Sequence, residues 1–189
     1  PMVRHVLQSL EDAGVKRIAV VIGHDARAMR VVLGDRYPLP YQAVRSGTAD
    51  AVACAQGFAT CSRNVFVLVG DSPLLKSSSL RRLHEHHLSR NAACSFLTAT
   101  FTRPYPYARV LRRDDGSVRR VVEERDATDA ELRVTELLTS HFIFNTEALF
   151  EVLADVPRHP QTGERYLTDA LSLMAARGGR IEALSLPDW

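Results

Sequence analysis

Apolar positions in this chain change period several times, and each change marks an element. Val3, Val6, Leu7 and Leu10 recur at helical spacing, so the chain opens on an amphipathic helix with Gly14 as its stop. Residues 18–22, all apolar, read as a buried strand ending at Gly23-His24. Helical spacing returns over 26–33 and stops at Gly34. Residues 41–44 read as a short strand, and Thr48 stands where a helix through Ala51, Val52 and Ala55 needs an N-cap. The run 65–69 is a strand with apolar residues on both faces. A helix is expected over 78–88 and a strand over 95–101. This alternation predicts an α/β fold, a Rossmann-like doubly wound and mostly parallel sheet.

After residue 101 the rhythm changes. Residues 108–112 and 117–123 flank Asp114-Asp115-Gly116, a strong hairpin signal. A strand is expected over 139–144, helices over 146–153 and 166–176, and a last strand over 181–186. No internal repeat or low-complexity linker divides the 189 residues, so one domain is expected. The chain starts with Pro1 already inside a helical pattern, which reads as a cut within a domain.

Composition narrows the function classes. Hydrophobic residues at 46% with 24% charged are ordinary for a globular core. A net charge of +2, without a basic run, does not point to nucleic acid. Cys54, Cys61 and Cys94 have no CxxC spacing, which argues for a reducing compartment without a disulfide framework. No signal peptide or membrane-length apolar run occurs, so a cytoplasmic protein off the membrane is expected.

Several stretches carry candidate chemistry. Gly70-Asp71 ends the 65–69 run and is followed by Pro73. It is either a turn that merely ends the strand, or a carboxylate at a sheet's carboxyl edge, placed to hold a divalent cation against phosphates. Gln42 to Gly47-Thr48 is a strand end, a glycine and a helix start. Gln42 offers a donor and an acceptor to a base edge, and Gly47 lets backbone approach a ligand; an ordinary strand-to-helix turn has the same signature. His84-Glu85-His86-His87 lacks the i, i+4 spacing of a zinc helix and reads as a wet helical face. Arg109, Arg112, Arg113, Arg119 and Arg120 cluster on the hairpin, mostly at solvent-facing alternate positions, with room for one on a phosphate. Glu123 follows a strand and either accepts sugar hydroxyls or belongs to a charged loop. Residues 162–169 are helix-start chemistry, with Asp169 either solvated or reaching a ligand.

The order of these stretches carries more than any one of them. Gln42…Gly47-Thr48, Gly70-Asp71-Ser72-Pro73-Leu74, Pro104…Tyr107-Ala108-Arg109-Val110, Val122-Glu123…Asp126-Ala127 and Gly163-Glu164-Arg165-Tyr166-Leu167-Thr168-Asp169 together resemble one family. It is the N-terminal uridyltransferase domain of the bacterial bifunctional N-acetylglucosamine-1-phosphate uridyltransferase/glucosamine-1-phosphate acetyltransferases. The similarity runs from Pro1 to about Leu186. It implies a nucleotide-diphospho-sugar transferase fold with a β-hairpin sugar subdomain. It implies a reaction joining UTP to N-acetylglucosamine 1-phosphate, with release of pyrophosphate and with Mg²⁺ as cofactor. By position, Asp71 matches the metal ligand, Gln42 the uracil contact, Gly47 and Thr48 the nucleotide contacts, and Glu123 the sugar contact.

The chain departs from the family pattern in several places. Gly-Tyr-Gly is Pro106-Tyr107-Ala108, and Glu-Ile-Asn-Thr-Gly is Glu136-Leu137-Leu138-Thr139-Ser140. Ala108 and Leu138 thus stand at two substrate-binding positions, with a methyl where backbone meets ligand and no amide for the sugar phosphate. The glycine-rich triphosphate signature is not found within residues 1–189, and turnover is expected of the intact protein and not of this stretch alone. Three alternatives stay open: a different sugar, a different base, or a degenerate domain that binds a ligand or partner without turnover. The resemblance also allows a homo-oligomer formed through a C-terminal domain outside this sequence.

Overall fold

The computed structural model describes residues 1–186. In chain order the elements are α1 (Met2–Asp12), α2 (Ala26–Leu33), α3 (Thr48–Ala53), α4 (Gln56–Ala59), β1 (Asn64–Leu68), α5 (Ser77–Arg90), β2 (Cys94–Thr100), β3 (Arg109–Arg112), β4 (Val118–Val122), α6 (Asp129–Leu132), β5 (Glu136–Asn145), α7 (Thr146–Leu153), α8 (Leu167–Ala176) and β6 (Ile181–Ser185). Local chemistry accounts for many boundaries. The β3–β4 turn closes with Gly116 at φ +81° and with the Asp115 carboxylate accepting from the Ser117 N–H and hydroxyl. Thr128 and Glu131 form a capping box on α6, and the Asn145 side chain caps α7 by accepting from Ala148 N–H at 3.0 Å.

The six strands lie in the order β4-β3-β5-β2-β6, with β1 beside the second half of β5. β6 runs parallel to β2, and both β1 and β2 run antiparallel to β5. β1, β2 and β6 therefore point the same way, as crossover connections require. β5 follows the β3–β4 hairpin, not a crossover, and enters between β1 and β2 in the opposite sense, so the sheet is mixed. Helices cover both faces. Phe96, Phe142 and Phe144 pack against Leu149, Val152, Leu167 and Leu171 on one side, and Leu97 and Ile143 against Val6, Leu10, Leu80 and Leu83 on the other. That three-layer α/β arrangement is the expected fold class, but the sheet is not mostly parallel as expected: among the described strand pairs β2–β6 is parallel and the others are antiparallel, because β5 and the β3–β4 hairpin enter without crossovers.

Three further expectations are corrected. Residues 18–22 and 41–44 do not form strands; they meet in a single parallel bridge, Ile22 with Tyr41. Val20 N–H donates to Pro38 C=O at 2.9 Å, but the bond that would close the pair, from residue 40 back to Val20, needs an N–H that Pro40 lacks. β1 is half-buried at every residue, because among the described residues it pairs on one edge only. His87 is not on a wet face. It is buried, with Nδ1 3.0 Å from Ser95 Oγ and Nε2 3.3 Å from Asn64 Oδ1.

Candidate active site

The carboxyl end of β1 delivers Gly70 and Asp71. Asp71 is exposed and takes part in no ion pair among the described residues. Beside it, β5 carries a wide bulge: Phe96 pairs with Phe142 and Thr98 with Leu138, so three residues of β5 oppose Leu97 alone. Ser140 takes φ +59° to make that bulge, and Thr139 Oγ1 donates to Leu97 C=O at 2.9 Å in place of a ladder bond. His141 emerges from the bulge, pairs in register with Leu68 and lies 2.9 Å from Thr139 Oγ1 through Nδ1. Burial pushes its pKa down to about 4, partly offset by the carboxylate of Asp71 nearby. Sequence reasoning missed His141, although an ionisable residue inside an apolar strand was a usable signal.

The stretch holding Gln42, Gly47 and Thr48 forms a second part. Gln42 Nε2 donates to Gly47 C=O at 3.0 Å. Gly47 has φ +112°, and a Cβ there would stand 2.3 Å from the Arg165 carbonyl oxygen. Its own chain thus requires a glycine here, because the Arg165 backbone occupies the space of a side chain. Arg165 N–H donates to Ser46 C=O, and Ala49 N–H donates back to Arg165 C=O. Thr48 is the first residue of α3, with Gly47 as the N-cap, and its hydroxyl accepts from Leu167 N–H at 2.8 Å instead. The Arg165 guanidinium secures the junction on Asp50 at 2.8 Å and on the Val156 and Ala154 carbonyls. Its role was not legible locally, since Asp50 lies far away in sequence.

The third part is built by strand register. Arg109 pairs with both Val122 and Leu137, so Ala108, Glu123 and Leu138 come to one level, and Leu138 N–H donates to Ala108 C=O at 2.9 Å. The Glu123 carboxylate accepts from the Thr168 hydroxyl at 2.8 Å. Thr168 therefore joins this corner to the Arg165–Leu167 stretch and to Thr48. The side chains of Ala108 and Leu138 belong to the apolar core, and at this corner they offer backbone only. Arg109 corrects the hairpin expectation: it is buried, not solvent-facing. Asp169 is half-buried with its carboxyl raised by burial and by Asp126, which itself lies 3.1 Å from His159 Nε2.

Hydrogen bonds thus run from Gln42 through Gly47, Thr48 and residues 165–168 to Glu123, strand register sets Ala108 and Leu138 beside it, and Thr139 leads to His141, which feels the charge of Asp71. No group of three His, Cys, Asp or Glu side chains able to hold a metal occurs among the described residues. A magnesium-type site does not need one: such an ion takes one or two carboxylates and completes its shell with phosphates and water, which an exposed, unpaired Asp71 suits. No helix among the described residues is long and apolar enough to cross a membrane.

The Bifunctional protein GlmU of Caldanaerobacter subterraneus subsp. tengcongensis is 36% identical over 184 residues, covering 97% of this chain and 40% of that protein. Its counterpart from Staphylococcus epidermidis is 38% identical over 190 residues, covering 100% of this chain and 42% of that protein. The chain thus spans about two-fifths of the length of these curated relatives. A Bacillus anthracis crystal structure assigned as a glucose-1-phosphate thymidylyltransferase, solved with a sucrose, superposes with a TM-score of 0.76. It covers 100% of this chain and 75% of that one at 15% identity, a likeness of fold. The profile of the MobA-like NTP transferase domain matches residues 1–141 of the 189, and the chain belongs to that nucleotidyltransferase family.

Proposed function

We propose that this chain is the nucleotidyl-transfer domain of a sugar-1-phosphate nucleotidyltransferase that joins UTP and N-acetylglucosamine 1-phosphate into UDP-N-acetylglucosamine and pyrophosphate. The observation that carries the reading is the contact path joining Gln42, Gly47 and Thr48 to Glu123 at one edge of a sheet that also presents Asp71. In the reaction an oxygen of the sugar phosphate attacks the α-phosphorus of UTP, and the bond from that phosphorus to the bridging oxygen breaks. Such transfer depends on in-line positioning and charge neutralisation more than on covalent catalysis. Gln42 and the 47–48 backbone hold the nucleotide, and Glu123, braced by Thr168, orients the sugar through its hydroxyls. Asp71 would hold Mg²⁺, which when bound neutralises charge on the phosphates.

The apolar Ala108 and Leu138 favour a second reading within the same class, with another sugar 1-phosphate as acceptor. Neither side chain can hydrogen-bond an acetamido or phosphate group. Pyrophosphate release over a panel of sugar 1-phosphates, with UTP and with dTTP, decides between them. Asp71→Asn is expected to lower turnover by about 10²-fold or more while the melting curve stays put. Near-normal turnover in that variant would remove Asp71 from the mechanism. No turnover with any pair would leave a binding domain.

A further inference from the structure

Arg109 is only 3% exposed, although it opens a hairpin whose other arginines reach solvent. Its Nη1 donates to the Tyr107 carbonyl and its Nη2 to the Leu132 carbonyl at 3.4 Å, with Glu124 Oε1 at 3.9 Å. Its Nε is buried without a hydrogen-bond partner. A buried guanidinium whose one carboxylate partner among the described residues stands at 3.9 Å, and which leaves a donor unmet, is costly, and an apolar side chain of similar volume would pack there at less cost. The partners show what that arrangement does. Tyr107 ends a tight turn centred on Pro106, in which Tyr107 N–H donates to Tyr105 C=O at 2.8 Å. Leu132 is the last residue of α6, whose terminal carbonyls have no partner within the helix. Glu124 follows Glu123 directly. Residues 101–107, 124 and 125 are exposed, so the core does little to hold either segment.

We propose that Arg109 is a positioning residue that sets the gap between the backbone at Ala108 and the carboxylate of Glu123, and so governs affinity for the sugar 1-phosphate. This rests on the reaction proposed above. The register places Arg109 opposite Val122 and Leu137, the residues that precede Glu123 and Leu138, so one guanidinium sits behind all three positions of that corner. The nucleotide side is braced by other partners: Gly47 and Thr48 rest on Arg165 and Leu167, whereas the polar partners of Arg109 are Tyr107, Leu132 and Glu124, and the two sides meet where Thr168 donates to Glu123.

Arg109→Met and Arg109→Lys, made in the whole protein, test this by kinetics and by amide hydrogen exchange without substrate. Arg109→Met is expected to raise KM for the sugar 1-phosphate by about tenfold or more, leaving KM for UTP within about twofold. Arg109→Lys, which keeps one donor, is expected to fall between. Exchange should quicken over 105–108 and 124–133 in Arg109→Met and stay unchanged over 42–49 and 165–168. A rise in both KM values alike, or faster exchange throughout with a lower melting temperature, would reduce Arg109 to a general packing role and overturn the proposal. Unchanged exchange over 105–108 would overturn it as well. Local loosening in a protein whose wild type turns over no sugar phosphate would instead defeat the proposed reaction and leave the brace standing.

Discussion

Gly47 and Ser140 both take positive φ, with opposite consequences. At Gly47 a methyl group would collide with the backbone of Arg165, which cannot swing aside as a side chain would. Gly47→Ala is expected to cost about 2 kcal/mol or more in a urea melt. A near-wild-type midpoint would mean that the 46–49 and 165 backbones do not meet as described. Ser140 holds a left-handed conformation that glycine adopts without penalty, so Ser140→Gly is expected to stabilise by about 1 kcal/mol, a rise of about 2–4 °C in Tm. A lower Tm would show that the Ser140 side chain contributes more than its backbone costs. The sequence suggested ligand access for Gly47 and could not suggest the close approach of Arg165, because nothing near residue 47 announces a partner at 165. It also placed Leu138 on the substrate. The fold buries its side chain, so Leu138→Asn would set an amide in an apolar cluster before it could reach a sugar.

Among elements, helices were the most legible. α1, α2, α7 and α8 repeat their apolar residues at helical spacing and form within a few residues of where that spacing puts them. Strands were less so, because an apolar run reports burial and not pairing. The 18–22 run meets prolines, and β5 begins at Glu136, three residues before its expected start. Burial pushes the Glu136 carboxyl up, but the Arg112 guanidinium and the Thr98 hydroxyl bring it below the usual range, so this charged residue sits comfortably in a strand. His87 ties α5 to β2 and β1, and burial with two histidine neighbours lowers its pKa to about 4. Folded, it stays neutral; unfolded, it takes a proton near pH 6.5. The unfolded chain therefore binds more protons as pH falls from about 6.5 towards 4, and stability falls with it, by roughly 3 kcal/mol at the full extent. His141 acts in the same direction. Denaturant melts at pH 7.5 and 5 should show the loss, and His87→Gln should flatten it; an unaltered slope in the variant would clear His87 of the effect.

For the molecule as a whole, the order of short motifs disclosed the family, while the connections between them had to come from the fold. Three-layer packing was written in the alternation of apolar runs and helical stretches. The socket around Gly47 and Glu123 was not, because its two sides come from opposite ends of the chain. Nucleotide should bind across that socket. Excess UTP with magnesium is expected to raise Tm, by about 2.7 kcal/mol of added stability at a hundredfold over Kd, and to slow amide exchange over 42–49 and 165–168 together. Protection of one stretch without the other would break the socket into unrelated parts. The contact between Thr48 and Leu167 also has a consequence during synthesis. A chain still on the ribosome before residue 167 has emerged has nothing for Thr48 to rest on, and the loop that must then close is among the longest this molecule makes. The joint between Thr48 and Leu167 is therefore a late acquisition of the nascent polypeptide, formed only after β1, β2 and β5 have all emerged.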